Sequence, residues 1–333
     1  MEPPAFKRRG VDDHISALPD ELLIIILLAL RSTAAAARTS VLSRRWRRVW
    51  TYLSELDLSG SSSPATTTSS AHLDAIDAAL NSYSAPTLHH LKIDLRKCDI
   101  PAHRVAPWTR FASQRLTGRI YIHLPWQQLP KAVEGTMEEL ALPVCERATE
   151  IDISLGMNFV LRPPPTGSFT ALTDQMITST YMDGGELGRV VSTQCRRLRT
   201  LYLDGIRFVA TYRVSICSES LECLVYSTSY KEIYVSRVEE ANIVAPKLEK
   251  VEWGGNNDPG HHQFAVAARH LRSLSIMYST WISMFISSMW LMQRFDTVGE
   301  LIVSIGIEKG IEGYIGFLED MDKLLACETL ALV

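Results

Sequence analysis

The chain has 333 residues, with 34 Lys and Arg against 37 Asp and Glu, for a formal net charge of -3. Near neutrality provides no global field towards nucleic acid or an anionic membrane, and 46% apolar with 21% charged residues is an ordinary globular composition that excludes disorder as the default. The length exceeds what one small domain needs, unless the fold is a repeat array.

Residues 1–11 are basic and proline-containing and read as a disordered tail. Lys7-Arg8-Arg9 is short enough to be an ordinary solvated cluster, with a nuclear address as the alternative. No apolar core of a secretory signal follows. The six cysteines, Cys98, Cys145, Cys195, Cys217, Cys223 and Cys327, are scattered without a C-x-x-C pair, as expected for reduced thiols of an intracellular protein.

Residues 12–52 predict about three short helices. Pro19 sits where a helix's first turn needs no N–H, and Asp20 and Glu21 place negative charge there. Leu22–Leu30 is apolar on every face, whereas a surface helix shows a stripe. It is far shorter than the roughly 20 residues of a membrane span. Ser32–Ser40 is alanine-rich and helical by propensity. In the closing segment Trp46 and Trp50 are four apart and share one helix face, with the arginines on the other. A module this small cannot bury so much apolar surface on itself, and a protein partner is the simplest cover. Residues 53–58 form a first strand-like unit, and 59–70 a polar low-complexity insert.

From 71 to 333 one pattern recurs: apolar, two positions, apolar, one position, apolar. With the unit at 53–58, its central residues are Leu56, Leu91, Ile120, Ile151, Gln175, Leu201, Leu224, Val251, Leu274, Leu301 and Leu330. The third copy begins weakly, at Thr117, and the fifth has Gln175 at its centre. The later spacing falls in the 20–29-residue range of leucine-rich repeats. Alternation with period two makes each core a strand with one buried face, and neighbouring units must stack to cover that face. The predicted fold is α/β: a short all-α N-terminal module, then an irregular solenoid with a parallel sheet. Met284–Gln293 and Gly310–Cys327 look helical. The last strand has no readable polar cap, so either it is short and covered from behind or the array is incomplete at the C-terminus.

Catalytic constellations are not found. There is no Walker-type phosphate loop and no H-E-x-x-H. Asp183-Gly184-Gly185-Glu186-Leu187-Gly188 lacks a lysine and reads as a loop between repeats. His89-His90 and His261-His262 are adjacent pairs whose side chains diverge, so they read as solvated histidines; no metal or cofactor is expected. Cys217 and Cys223 read as unconnected thiols.

Residues 14–50 resemble an F-box. The matching features are Ile15, Leu18-Pro19-Asp20-Glu21-Leu22-Leu23, Ile26-Leu27, Val41-Leu42-Ser43-Arg44-Arg45-Trp46 and Trp50. With the repeats, nearly the whole chain is similar to the plant F-box/leucine-rich-repeat family. The segment Ser32–Ala37 departs from it in lacking large apolar residues, and many plant relatives continue into a further C-terminal domain.

The resemblance implies a non-enzymatic substrate-recognition subunit of a Skp–cullin–F-box ubiquitin ligase, in the nucleus, the cytoplasm or both. Its expected partners are a Skp-type adaptor, through it a cullin, and an unknown protein substrate, without nucleic acid or membrane. Implied adaptor contacts are Leu18, Pro19, Leu22, Leu23, Ile26, Leu27, Val41, Leu42, Ser43 and Trp46, with Trp50 beside them. On strand phase, Tyr202, Val225, Glu252, Ser275 and Ile302 should line the concave, substrate-holding face. The alternatives are an interaction scaffold without ligase output and an α/β hydrolase or transferase; the latter would show a deep pocket with convergent polar groups.

Overall fold

The computed structural model describes residues 15, 18–59, 69–95, 100–124, 137–157, 159–227, 238–254, 260–265, 270–279, 286–287, 289–306 and 327–333. It is α/β, a helical N-terminal module followed by a stack of parallel strands. The tail at 1–11 and residues 310–326 of the helix predicted over Gly310–Cys327 lie outside these residues, while Cys327 itself begins a strand.

Helix α1 (Asp20–Ala29) starts after Pro19, as its first-turn chemistry predicts. Helix α2 (Thr33–Arg38) is capped by Ser32, whose hydroxyl accepts from the Ala35 N–H. A 3-10 turn, Thr39–Val41, leads to α3 (Trp46–Val49) and a second turn, Trp50–Tyr52. Strand β1 (Glu55–Asp57) then opens a sheet whose path runs through β2 (Leu88–Asp94), β3 (Leu116–His123), β5 (Glu150–Ser154), β7 (Asp174–Met182) and β8 (Thr200–Phe208). It continues through β10 (Cys223–Ser227), β12 (Lys250–Trp253), β14 (His270–Ser279), β16 (Thr297–Gly306) and β17 (Cys327–Leu332).

The eleven central residues of the sequence pattern are register partners along this whole path. Leu56 pairs with Leu91, Leu91 with Ile120, and so on through Gln175 to Leu301 and Leu330. Each neighbour supplies the apolar cover that a single unit lacks, which is why the period survives in the sequence. In the third copy the opening position is Leu116, one residue earlier than the spacing suggested: Leu88 pairs with Leu116 and His90 with Arg119, so β3 carries one extra residue between them. Gln175 sits buried in the core row, with its Oε1 unpaired among the described residues.

The outer side is irregular. Helices α4 (Ser69–Ser82) and α5 (Ala102–Arg115) cover the early repeats; α4 begins within the last two residues of the stretch read as polar insert. Trp108 Nε1 donates to Asp77 at 2.6 Å, and Arg104 contacts Asp74 and Asp77, so the two helices are clasped. Further on, α6 (Gly184–Thr193) and a three-stranded parallel sheet of β9 (Arg213–Cys217), β11 (Glu240–Val244) and β13 (His262–Ala265) take over.

Three readings are corrected here. Asp183–Gly188 is a helix start and not a loop: the Asp183 carboxylate accepts from the Glu186 N–H at 2.8 Å. Its glycines permit contact with β9, since a Cβ on Gly188 would lie 2.3 Å from the Ser215 carbonyl and one on Gly184 2.6 Å from that of Arg213. Gly188→Ala should therefore lower stability by about 1–3 kcal/mol, because overpacking against backbone outweighs the roughly 1 kcal/mol gain in helix propensity; chemical denaturation measures it. Within Met284–Gln293, Ile286–Ser287 (β15) instead pairs antiparallel with β14, and a 3-10 turn spans Met289–Arg294. His262 is not solvated: it is buried, 6.0 Å from the Trp253 ring.

Met157, Ser179 and Gly205 all have positive φ, of 63°, 48° and 59°. They are neighbours: the Met157 N–H donates to the Ser179 carbonyl, and the Gly205 Cβ position lies 3.7 Å from both of the other residues. At this line the buried phase of β7 changes from Gln175 and Ile177 to Thr180 and Met182, and that of β8 from Leu201 and Leu203 to Ile206 and Phe208. At and beyond the line, Met157, Val160 and Tyr181 form a small cluster separate from the main core.

Candidate functional site

The candidate surfaces are one on the helical module and one on the sheet. Helix α1 is apolar all round, and the structure covers half of it. Leu23 and Leu27, one turn apart, are 0% and 1% exposed and join the main core, with Ile24 and Leu28 packed against it. The opposite side presents Leu22, Ile25, Ile26 and Leu30 to solvent, and the following turn exposes Val41 (85%) and Leu42 (65%).

Of the residues with implied adaptor contacts, Leu23, Leu27, Trp46 and Trp50 are therefore interior. They share one core with Leu53, Leu56 and Leu91 of the first repeats. The cover that the sequence assigned to another protein comes, for this stripe, from the chain's own repeats. Leu22, Ile26, Val41 and Leu42 are exposed, Pro19 is exposed, and Leu18 and Ser43 are half-buried. Ile25 and Leu30 belong to the same open face. Their spacing, three residues after Leu22 and four after Ile26, could have revealed them.

The opening and closing motifs are joined by one side chain. The Arg45 guanidinium bonds both the Asp20 carboxylate, at 2.6 Å, and the Leu18 carbonyl. The module is fastened to the sheet as well. Buried Thr33 accepts from the Asp57 N–H at 2.8 Å, and the Thr51 carbonyl receives the N–H groups of Ser84 and Ala85. Tyr83, its phenol pushed up to about 12 by burial, donates to the Leu53 or Thr87 carbonyl, each 2.8 Å away. Arg31 closes α1 with φ 50°. A left-handed non-glycine residue costs roughly 1–2 kcal/mol, and glycine's extra chain entropy returns about 0.5–1 of that. Arg31→Gly should raise the melting temperature by about 1–3 °C in a thermal scan.

The open face of the sheet carries the predicted row Tyr202, Val225, Glu252, Ser275 and Ile302, which are consecutive register partners. Tyr202, Glu252 and Ile302 are partly exposed. Val225 and Ser275 are corrected: at 3% and 8% exposure they are buried, and so do not offer a binding surface. The Tyr202 phenol is raised, first by burial and then by the charges of Asp204 and Glu252. Nearer the helical module, Tyr121 stacks on His123 with centroids 3.8 Å apart, His123 meets Asp152 at 2.8 Å, and Lys92 lies over Tyr121.

A cavity of about 290 Å³ lies where the α1–α2 turn meets β1 and β2, with Leu27, Leu56, Arg31, Glu55 and Lys92 in its wall. Among the described residues no group of His, Cys, Asp or Glu could hold a metal, and no helix is long and apolar enough to cross a membrane. Cys145 and Cys195 are buried free thiols pushed up to about 12 by that burial, a setting that leaves them inert.

No family model matches the chain, and no solved structure matches it. Curated plant proteins are among its relatives. One F-box/FBD/LRR-repeat protein of Arabidopsis thaliana is 28% identical over 275 residues, 75% of this chain and 50% of that one. A second is 27% identical over 256 residues, 73% of this chain and 56% of the other. A third, shorter match to a protein of that name is 43% identical over 84 residues, 25% of this chain and 17% of the relative. The chain thus spans about half the length of the curated relatives it matches over most of its own. Over three quarters of its length it is similar to the F-box/FBD/LRR-repeat proteins of Arabidopsis.

Proposed function

We propose that the chain is a substrate-recognition subunit of a Skp–cullin–F-box ubiquitin ligase. The observation that carries this is the division of α1. One stripe, Leu23 and Leu27, is consumed by the chain's own core, while Leu22, Ile25 and Ile26 on the other side, with Val41 and Leu42, remain exposed. Each of these side chains forgoes roughly 1.5–3 kcal/mol by staying in water. Contiguous exposed apolar surface of this kind marks a protein interaction site. The F-box in the relatives' names supports a Skp-type adaptor as the partner, and through it a cullin.

The mechanism is proximity. The helical module shares its core and its hydrogen bonds with the first repeats, so the two open surfaces are held at a fixed separation. A rigid frame raises the effective concentration of whatever sits on the sheet near the ubiquitin-carrying subunit. The direct test is co-expression with a plant Skp-type adaptor followed by size-exclusion chromatography. A one-to-one complex is expected, and elution as separate species overturns the reading.

A further inference from the structure

We propose that the open face of strands β1 to β8 docks a lysine- and arginine-rich polypeptide segment, an inference that rests on this face being the substrate-holding end. Three register rows cross these strands on the side away from the core. The first row holds Glu55, Glu150 and Asp174, the second Asp57 and Asp152, and the third Asp94 and Asp204. Against these seven carboxylates the same rows carry two permanent cations, Lys92 and Arg119, and two histidines, His90 and His123. The whole chain is only three charges negative, so this face is far more acidic than the molecule that bears it.

The cations present are already engaged. Lys92 faces Asp57 at 3.6 Å and Arg119 faces Glu150 at 3.0 Å. Glu55, Asp174 and Asp204 have no cationic partner among the described residues. Glu150 and Asp174 are direct register partners, and like charges placed opposite each other on neighbouring strands destabilise a sheet. Arg119 offsets only Glu150 of this pair, and an incoming cation would offset Asp174. Tyr202, partly exposed in the second row, supplies a ring face of the kind that holds lysine and arginine. One such contact exists already within the chain, with Lys92 5.7 Å from the Tyr121 ring centre. The raised phenol of Tyr202, shifted partly by Asp204 and Glu252, agrees with a negative field there.

The test is fluorescence anisotropy on the full chain, with a short labelled peptide of alternating lysine and glycine and its glutamate counterpart. The lysine peptide is expected to bind and to weaken as ionic strength rises, and the glutamate peptide not to bind. Glu55→Gln/Glu150→Gln/Asp174→Asn should weaken the lysine peptide by about tenfold. Glu146→Gln/Glu219→Gln/Glu239→Gln removes the same charge from exposed loops and should leave affinity within about twofold. No binding by the wild type at low salt, or equal losses from the two triple variants, overturns the proposal. Complex formation with the Skp-type adaptor, followed on the same preparations, reports the adaptor reading separately. An intact adaptor complex without peptide binding sinks only the basic-segment inference; the reverse sinks only the adaptor.

Discussion

Trp46→Ala should lower the free energy of unfolding by about 3–5 kcal/mol, as for other large aromatics truncated in a core. Trp46 is 5% exposed and belongs to the same core as Leu23, Leu27 and Leu56. Removing it opens a void between the helical module and the first repeats, where the backbone is held by the Thr33–Asp57 and Thr51–Ser84 hydrogen bonds and cannot collapse freely. Urea unfolding should show a lower midpoint. Adaptor affinity, measured on the fraction still folded, should change little. A variant as stable as the wild type, with adaptor binding lost, would place Trp46 in the interface instead.

Leu22→Asp/Ile26→Asp should behave in the opposite way. Both side chains point away from the core, so stability should move by less than about 0.5 kcal/mol each, as at ordinary surface positions. Two carboxylates in the middle of an apolar docking face would be desolvated without partners on binding. A loss of at least about 2 kcal/mol in adaptor affinity is expected, roughly thirtyfold or more. Isothermal titration against the adaptor measures it; an unchanged affinity removes this helix face from the interface. Together the two variants divide one small apolar module into the part that builds the chain and the part that meets another.

Strand phase was legible from spacing alone because each inward position touches an inward position of the next repeat. The eleven central residues, even Gln175, fall into one row. What lies over a face was not legible. Alternation places Val225 and Ser275 on the side away from the core and says nothing of their cover, yet both are buried. The same gap affected Trp46 and Trp50. Their four-residue spacing predicts a shared face without telling whether that face meets another molecule or the chain itself. Helix α6 was missed because glycines suggest loops, although two signals were present: Asp183 three residues before Glu186 is a capping pattern, and Gly184 and Gly188 lie one turn apart on one face.

The line of positive-φ residues, Met157, Ser179 and Gly205, bears on how such a chain can vary. It is a crease shared by β7, β8 and the turn after β5, and one extra residue in each strand keeps the same core covered on both sides of it. A one-residue deletion at Ser179 would remove the extra residue from β7 alone, so Thr180 would meet Gly205 and no longer Ile206, and the pairing beyond the crease would slip against β8. Deleting a whole repeat would leave the alternation of the rest intact. Between Gly156 and Phe208, then, length variation should be tolerated in units of a repeat and rejected in units of a residue.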